Sequence, residues 1–178
     1  MPTRHIRIPE TPIVFDGVAS EVRPGPGCLR VVPHCFVAFP DCALEEHLVQ
    51  FAVHLDIPGV RASLADEISL GMLQKWRSDL SLLDQSFKAS NKGRRVKVEG
   101  CEHAFRFGVS AHERGILAEG EIAFPNFKWN KWKSNVMIAQ EKPFPWGIKF
   151  AFFMHPESFR AAIASIDRTL SVLPSCVT

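Results

Sequence analysis

Two stretches of the chain carry apolar residues at intervals of three to five positions, the spacing that places them on one face of a helix. The apolar stripe of the first stretch consists of Ile68, Met72, Leu73, Trp76, Leu80, Leu83 and Phe87. Ser63 and Asp66 precede the stripe in an arrangement that resembles an N-terminal cap. Ser90 to Gly93 follow it, and glycine suits a left-handed stop. The pattern predicts a helix at about residues 65–89.

The second helical stretch lies near the C-terminal end of the sequence. It follows His155 and begins with Pro156 and Glu157, residue types that are typical of a first helical turn. Its apolar stripe consists of Phe159, Ala162, Ile163, Ile166, Leu170 and Leu173. Pro174 ends the pattern. We therefore predict a second helix at about residues 156–173.

The other apolar segments alternate with polar residues, which is typical of half-buried strands. Such runs lie at residues 13–22, 29–39, 48–57, 96–98, 105–109, 116–124 and 146–154. In the third run, Val49, Phe51 and Val53 fall on one face. Pro33 indicates an edge position or a break in the second run. The last run is the most hydrophobic, which predicts a central strand.

The predicted strands come in runs and do not alternate strictly with the two helices. This order favours an α+β fold, in which a largely antiparallel sheet packs with two amphipathic helices, over a doubly wound parallel sheet. The length of 178 residues fits one domain that spans residues 1–178. Internal repeats are absent from the sequence.

Composition and charge narrow the function classes without choosing one. The net charge is +2, so affinity for nucleic acid or for a membrane surface would have to come from a local patch. We expect no membrane association, because no run approaches the roughly 18 apolar residues of a spanning helix. The first residues do not resemble a secretory leader, and five irregularly spaced cysteines indicate reduced thiols. The expected location is the cytoplasm.

Cysteines and histidines do not form a recognisable metal motif. Two sets resemble ligand sets, namely Cys35, Cys42 and His47, and Cys101, His103 and His112. Neither set has the two-to-four-residue spacing that places two ligands on one zinc turn. Glycine-rich phosphate-binding motifs are also missing. The sequence therefore predicts no metal and no cofactor.

Signals for catalysis are equally weak. Cys28 could pair with His34, His54 or His103, but a thiol nucleophile needs a base within hydrogen-bond reach and a group that orients the base. Glu119 and Glu121 share one strand face, which we interpret as the solvated side of a hairpin. We predict that the protein is not an enzyme, with a small thiol-dependent hydrolase as an alternative.

The most unusual segment combines aromatic and basic residues. Its candidate partner-binding residues are Phe127, Lys128, Trp129, Lys131, Trp132 and Lys133. Aromatic rings beside cations suit a single-stranded nucleic acid or a protein partner, whereas covering the core is the alternative role. If the segment is a strand, its two tryptophans fall on opposite faces, so one of them would be available for contact.

Several segments together resemble a known family. They are His47-Leu-Val-Gln-Phe-Ala-Val-His-Leu-Asp-Ile, the helix with Leu73 and Trp76, Phe105-Arg-Phe-Gly-Val, Gly115, Glu119-Gly-Glu-Ile, Ile148-Lys-Phe-Ala-Phe-Phe and Pro156-Glu-Ser-Phe. Over about residues 45–172 this order of elements is similar to the WapI-type immunity proteins. The chain departs from them in its longer, proline-rich N-terminal region and in the Trp/Lys segment.

The resemblance implies a non-enzymatic bacterial protein that binds and neutralises a cognate toxin delivered by neighbouring cells. Inhibitors of nucleases are usually acidic, because they cover a basic active site. The slightly basic charge of this chain therefore indicates a toxin that is not a nucleic-acid enzyme, or one that is bound away from its active site. A nucleic-acid-binding module that uses Phe127 to Lys133 is the alternative.

Overall fold

The fold consists of two antiparallel sheets and two α-helices, as the α+β prediction requires. The computed structural model describes residues 3–17, 27–88, 95–100, 105–113, 115–123 and 147–173. In chain order the elements are β1 (Arg4–Arg7), β2 (Ile13–Asp16), β3 (Cys28–Ala38), a 3-10 turn (Leu44–Glu46), β4 (Leu48–Ile57), β5 (Val60–Ser69), α1 (Leu70–Lys88), β6 (Arg95–Glu99), β7 (Phe105–His112), β8 (Gly115–Ala123), β9 (Gly147–Met154) and α2 (Pro156–Val172).

The N-terminal sheet comprises β1 to β5. Strands β3, β4 and β5 follow one another as antiparallel neighbours, while β1 and β2 pair with different halves of β3. Gly59 lies in the turn that joins β4 to β5, and its φ of 79° explains why glycine occupies this position. The pairing shifts by one residue between Pro33 and Cys35. Pro33 therefore marks an irregularity in a strand that continues through it, and β3 lies inside the sheet and not at the predicted edge.

The C-terminal sheet has the strand order β6-β7-β8-β9, with every pair antiparallel. Among the described strands, β9 lies at one end of this order, so the prediction that this hydrophobic run is central was wrong. A bridge between Gly17 and Met154 places the end of β2 beside β9. The hydrophobicity of β9 reflects this junction, because Phe152 packs against the backbone of both Gly17 and Gly27.

Helix α1 begins at Leu70, about five residues later than predicted. Ser63 and Asp66 lie within β5, whose pairing with β4 continues to Ser69 opposite Leu48. The hydroxyl of Ser69 accepts a hydrogen bond of 3.2 Å from the backbone N–H of Met72, so Ser69 is the actual cap. Continuous pairing with β4 thus extends β5 through Ser63 and Asp66, the two residues that had suggested a helix cap.

Helix α2 confirms the predicted bounds to within one residue. It packs against β2, β8 and α1. Arg77 of α1 pairs with Asp167, and Asp84 pairs with Arg160, so the two helices run antiparallel. Among the described residues, no helix is both long and apolar enough to cross a membrane.

Buried apolar residues from both sheets and both helices form one cluster. Phe15 of the N-terminal sheet meets Phe107 of the C-terminal sheet edge to face, with ring centroids 5.0 Å apart. Phe51 meets Phe105 in the same way at 6.3 Å. The inner faces of the two sheets therefore pack on each other, and their outer faces point away from this core.

Candidate functional site

The outer face of the C-terminal sheet carries a dense array of charged side chains. Because side chains alternate along each strand, the residues between the buried ones all point to this side. The described side chains of this array are those of Arg95 and Lys97 from β6, Arg106 from β7, Glu119 and Glu121 from β8, and Lys149 from β9. We call these six residues the charged face.

Two ion pairs order the charged face. Arg106 and Lys149 lie directly opposite Glu121 on the two neighbouring strands, and Arg106 Nη2 is 3.1 Å from Glu121 Oε2. Arg95 Nη2 lies 3.0 Å from Glu119 Oε1. In both pairs the arginine is more exposed than its carboxylate, so the guanidinium groups form the outermost layer of the face.

The ion pair between Arg95 and Glu119 can form because residue 108 is a glycine. Arg95 is on β6 and Glu119 on β8, so the Arg95 side chain must cross β7, where Gly108 stands opposite both Lys97 and Glu119. A Cβ atom at residue 108 would overlap Nε of Arg95 and would lie 2.8 Å from its Nη2. The missing side chain therefore lets the guanidinium lie flat against the backbone of β7.

An apolar row borders the charged face. Leu117 and Phe153 stand opposite each other on β8 and β9, and both are half-buried. The exposed ring of His112 meets Phe153 edge to face, with centroids 6.0 Å apart. The outer face of the sheet thus offers charged contacts next to apolar ones.

The predicted partner-binding residues, Phe127, Lys128, Trp129, Lys131, Trp132 and Lys133, lie outside the described residues. Their role stays a prediction. The chain leaves the sheet at Ala123 and returns at Gly147, and these two residues stand opposite each other. Glu121 and Lys149 are the next pair on the outer face. The connection that contains the segment therefore starts and ends beside the charged face.

Sequence reasoning placed Glu119 and Glu121 on one face but did not assemble the four cations around them. Arg95 follows the predicted helix closely in sequence, but it opens β6. The alternation of charged and apolar residues in β6 to β9 indicates which residues of each strand lie on the outer face. Antiparallel pairing between consecutive strands would have brought these cations together, but the pairing register is not local in sequence.

In the described part of the chain, no histidine is hydrogen-bonded to Cys28 or Cys35 to act as an activating base. Burial raises the pKa of Cys28, and the carboxylate of Asp16 adds to the rise, although a hydrogen bond with Arg30 opposes it. His54 instead shares a 2.8 Å hydrogen bond with Ser63 on the neighbouring strand. Among the described residues, no hydrogen bond joins a cysteine to a histidine. Cys101 and His103 lie outside them. This geometry disfavours a thiol nucleophile at Cys28 or Cys35.

The first candidate ligand set is not assembled as a metal site. Cys42 is exposed, whereas His47 is buried and its Nδ1 accepts a 3.3 Å hydrogen bond from the backbone N–H of Phe39. The carbonyl of His47 also accepts a hydrogen bond from Leu70, so this histidine joins the 3-10 turn to the start of α1. In the part of the chain that the structure describes, no three metal-binding side chains lie close enough to hold an ion.

No protein-family model, curated protein or solved structure matches this chain. Its function is therefore inferred from the charged face and from the resemblance in its sequence.

Proposed function

We propose that this protein is a bacterial immunity protein that binds a cognate toxin in the cytoplasm and neutralises it by contact, without catalysis. The charged face is the observation that carries the proposal. It combines arginines, which are enriched at protein interfaces, with an adjacent apolar row. The resemblance of residues 45–172 to WapI-type immunity proteins supports the same function.

The construction of the charged face suits binding better than it suits chemistry. Its side chains stand on four paired strands, and Arg95 and Arg106 are already held by carboxylates. A side chain that is ordered before binding loses less conformational entropy when a partner arrives. The face can therefore present its guanidinium groups to a protein at low cost.

Phe127 to Lys133 are proposed as a second contact zone. The connection that contains them begins and ends beside Glu121 and Lys149, at one end of the charged face. One partner could therefore contact both zones. The aromatic residues of the segment would supply the buried anchors that stable interfaces usually contain.

A nucleic-acid-binding module is the second candidate, because four cations share one face. Glu119 and Glu121 stand among these cations and would repel phosphate groups. Binding to a single-stranded oligonucleotide that weakens steeply with salt would favour this candidate over the immunity protein.

Co-expression with the toxin encoded by the adjacent gene tests the proposal. We expect cells to survive only when this chain is present, and the purified proteins to form a stable complex of fixed stoichiometry. The inhibition of the toxin should saturate at that stoichiometry, since a binder is not regenerated as an enzyme is. The absence of both complex and protection would refute the proposal.

A variant with Cys28→Ser and Cys35→Ser separates binding from thiol chemistry. Cys28 and Cys35 are only half-buried, so we expect both replacements to be tolerated. A binder should protect cells as well as the unmodified chain does. Loss of protection in a correctly folded variant would instead favour the thiol-dependent hydrolase.

A further inference from the structure

We infer that the cavity between α1 and β6 binds a small, neutral ligand with an apolar body and a carbonyl group, and that the indole N–H of Trp76 donates a hydrogen bond to this carbonyl. The inference goes beyond the proposed function, because it assigns a ligand site that toxin binding does not require. Two observations carry it: a cavity of suitable size, and a buried donor without a partner on one of the residues that line it.

The cavity lies where one side of α1 meets β6, which ends the strand order of the described C-terminal sheet. Its volume is about 380 Å³, within the range of small-molecule sites. The helix contributes Met72, Lys75, Trp76 and Asp79, and the strand contributes residues 95–97. The four helical residues are three or four positions apart, so they form one continuous wall.

Trp76 supplies the hydrogen-bond donor. Only 4% of this residue is exposed, and its ring packs against Phe51 in the core, with ring centroids 6.3 Å apart. Within the described structure, the buried Nε1 of Trp76 has no hydrogen-bond partner. An indole nitrogen can only donate, and buried donors without an acceptor are rare in folded proteins. Because the same ring lines the cavity, a small rotation of the indole would bring this N–H to a ligand oxygen.

The charges around the cavity favour a neutral ligand. Lys75 is paired with Asp79, and Arg95 is paired with Glu119. Lys97 likewise has an interaction of its own. A charged ligand would compete with these existing partners, whereas a neutral ligand leaves the ion pairs intact.

The apolar part of the lining defines the body of the ligand. It consists of Met72, Trp76 and Val96. A methionine side chain is flexible and makes favourable contacts with aromatic rings, and an indole packs well against planar groups. A planar, apolar body with one acceptor therefore matches the cavity, and aryl ketones and aryl amides belong to this class.

The first experiment titrates the full, ¹⁵N-labelled chain with acetophenone, an aryl ketone, and follows the indole N–H resonances of the four tryptophans. The Trp76→Phe variant identifies the resonance of Trp76, since only that signal is lost. We expect acetophenone to shift this resonance together with the backbone amides of Met72 and Val96. The inference is overturned if acetophenone does not bind, or if it binds and leaves the Trp76 resonance unchanged.

A matched pair of ligands isolates the hydrogen bond. In α-methylstyrene a CH₂ group replaces the carbonyl oxygen of acetophenone, and the shape of the molecule stays nearly the same. Trp76→Phe also shortens the ring, but the loss of packing affects both ligands alike. The affinity for acetophenone relative to α-methylstyrene should therefore fall about three- to tenfold in this variant, the effect of one neutral hydrogen bond. An unchanged ratio in a folded variant would refute the role of Trp76.

A contact measurement on the unmodified chain keeps the test valid if Trp76→Phe does not fold. Acetophenone carrying a ¹³C-labelled methyl group should give a nuclear Overhauser effect to the indole N–H proton of Trp76, because the methyl group is bonded to the carbonyl carbon. A bound ligand that shows this effect only to other residues would place the site elsewhere and would overturn the inference.

Discussion

The outer faces of the two sheets use the same alternation of residues but arrange charge differently. On the N-terminal sheet, Asp56 and Arg61 pair across adjacent strands at the end of a hairpin, 3.2 Å apart. On the C-terminal sheet, Arg95 instead reaches over a whole strand to Glu119. The longer reach depends on Gly108. Because Gly108 has no side chain, the ion pair of Arg95 and Glu119 spans three strands, whereas that of Asp56 and Arg61 joins two adjacent strands.

The inner faces, in contrast, are alike. Phe51 from one sheet and Phe105 from the other contact each other within a single apolar cluster. A partner that binds the C-terminal sheet therefore binds a surface that the whole core supports. The difference between the two sheets lies in what their outer faces display.

The largest expected effect is the loss of stability when a phenylalanine is removed from the inner face of either sheet. Phe51→Ala and Phe105→Ala should each lower the free energy of unfolding by about 3–5 kcal/mol, because both rings are fully buried. If the sheets share one core, both variants should still unfold in one transition, followed by circular dichroism and by tryptophan fluorescence. Two separated transitions would mean that the sheets are independent units.

The second prediction compares two glycines on opposite faces of the C-terminal sheet. A Cβ at Gly120 would overlap that of Phe107 and lie 2.5 Å from the carbonyl oxygen of Arg106, so backbone must move. We expect Gly120→Ala to lower the free energy of unfolding by about 1–3 kcal/mol. Gly108→Ala meets the flexible end of the Arg95 side chain and should lower it by no more than about 1 kcal/mol, the expected coupling of Arg95 to Glu119. Urea unfolding of both variants measures this, and similar losses would contradict the special role of Gly108.

The third prediction concerns the thiol on the outer face of the N-terminal sheet. Because burial raises the pKa of Cys28 above its ordinary value of 9.0, its thiolate forms at higher pH in the folded chain than in the unfolded one. The unfolded state therefore ionises first, and this cysteine makes the protein less stable as the pH rises above 9.0.

Alkylation by iodoacetamide measures this effect in a variant whose other four cysteines are replaced by serine. The pH midpoint of the reaction should be higher in the folded chain than in urea. The same variant with Arg30→Gln is a control, since losing the hydrogen bond that lowers the pKa of Cys28 should raise the midpoint further. A midpoint lower in the folded chain would indicate an activated thiol and would favour the hydrolase.

The smallest expected effect is the difference in coupling energy between the Arg61–Asp56 and Arg95–Glu119 ion pairs. Arg61 and Asp56 have side chains 86% and 59% exposed, against 60% and 40% for Arg95 and Glu119. Double-mutant cycles should give a coupling energy of under about 0.5 kcal/mol for the first pair and up to about 1 kcal/mol for the second. Salt should weaken the first coupling more. A larger coupling for Arg61 and Asp56 would contradict the view that Gly108 orders Arg95.

Local periodicity predicted most of the fold. The bounds of α2 and the buried face of β4 follow from the spacing of apolar residues, which depends only on neighbouring positions. The start of α1 does not, because Ile68 fits both the helical stripe and the strand pattern. Its place in β5 is decided by pairing with Val49 on another strand. The predicted buried stripe of α2 also omits Ser165 and Thr169. These polar side chains can be buried because each hydroxyl donates a hydrogen bond to the carbonyl four residues earlier.

The candidate site was less predictable than the fold. Glu119 and Glu121 could be placed on one face from their spacing alone, but Arg95 and Lys149 join them only through the register of four strands. Register is set by long-range pairing, which a single sequence does not reveal. The partner-binding role of Phe127 to Lys133 stays a prediction, and the charged face gives it a neighbouring surface to act with.

The packing of α2 against β2 has a consequence for how the chain folds during synthesis. Ile13 and Phe15 of β2 are fully buried, and α2 forms part of their cover. The ribosome synthesises β2 before residues 156–172. Ile13 and Phe15 therefore cannot be covered by α2 until most of the chain has emerged. Nascent chains halted before residue 156 should therefore expose this surface and depend on chaperones.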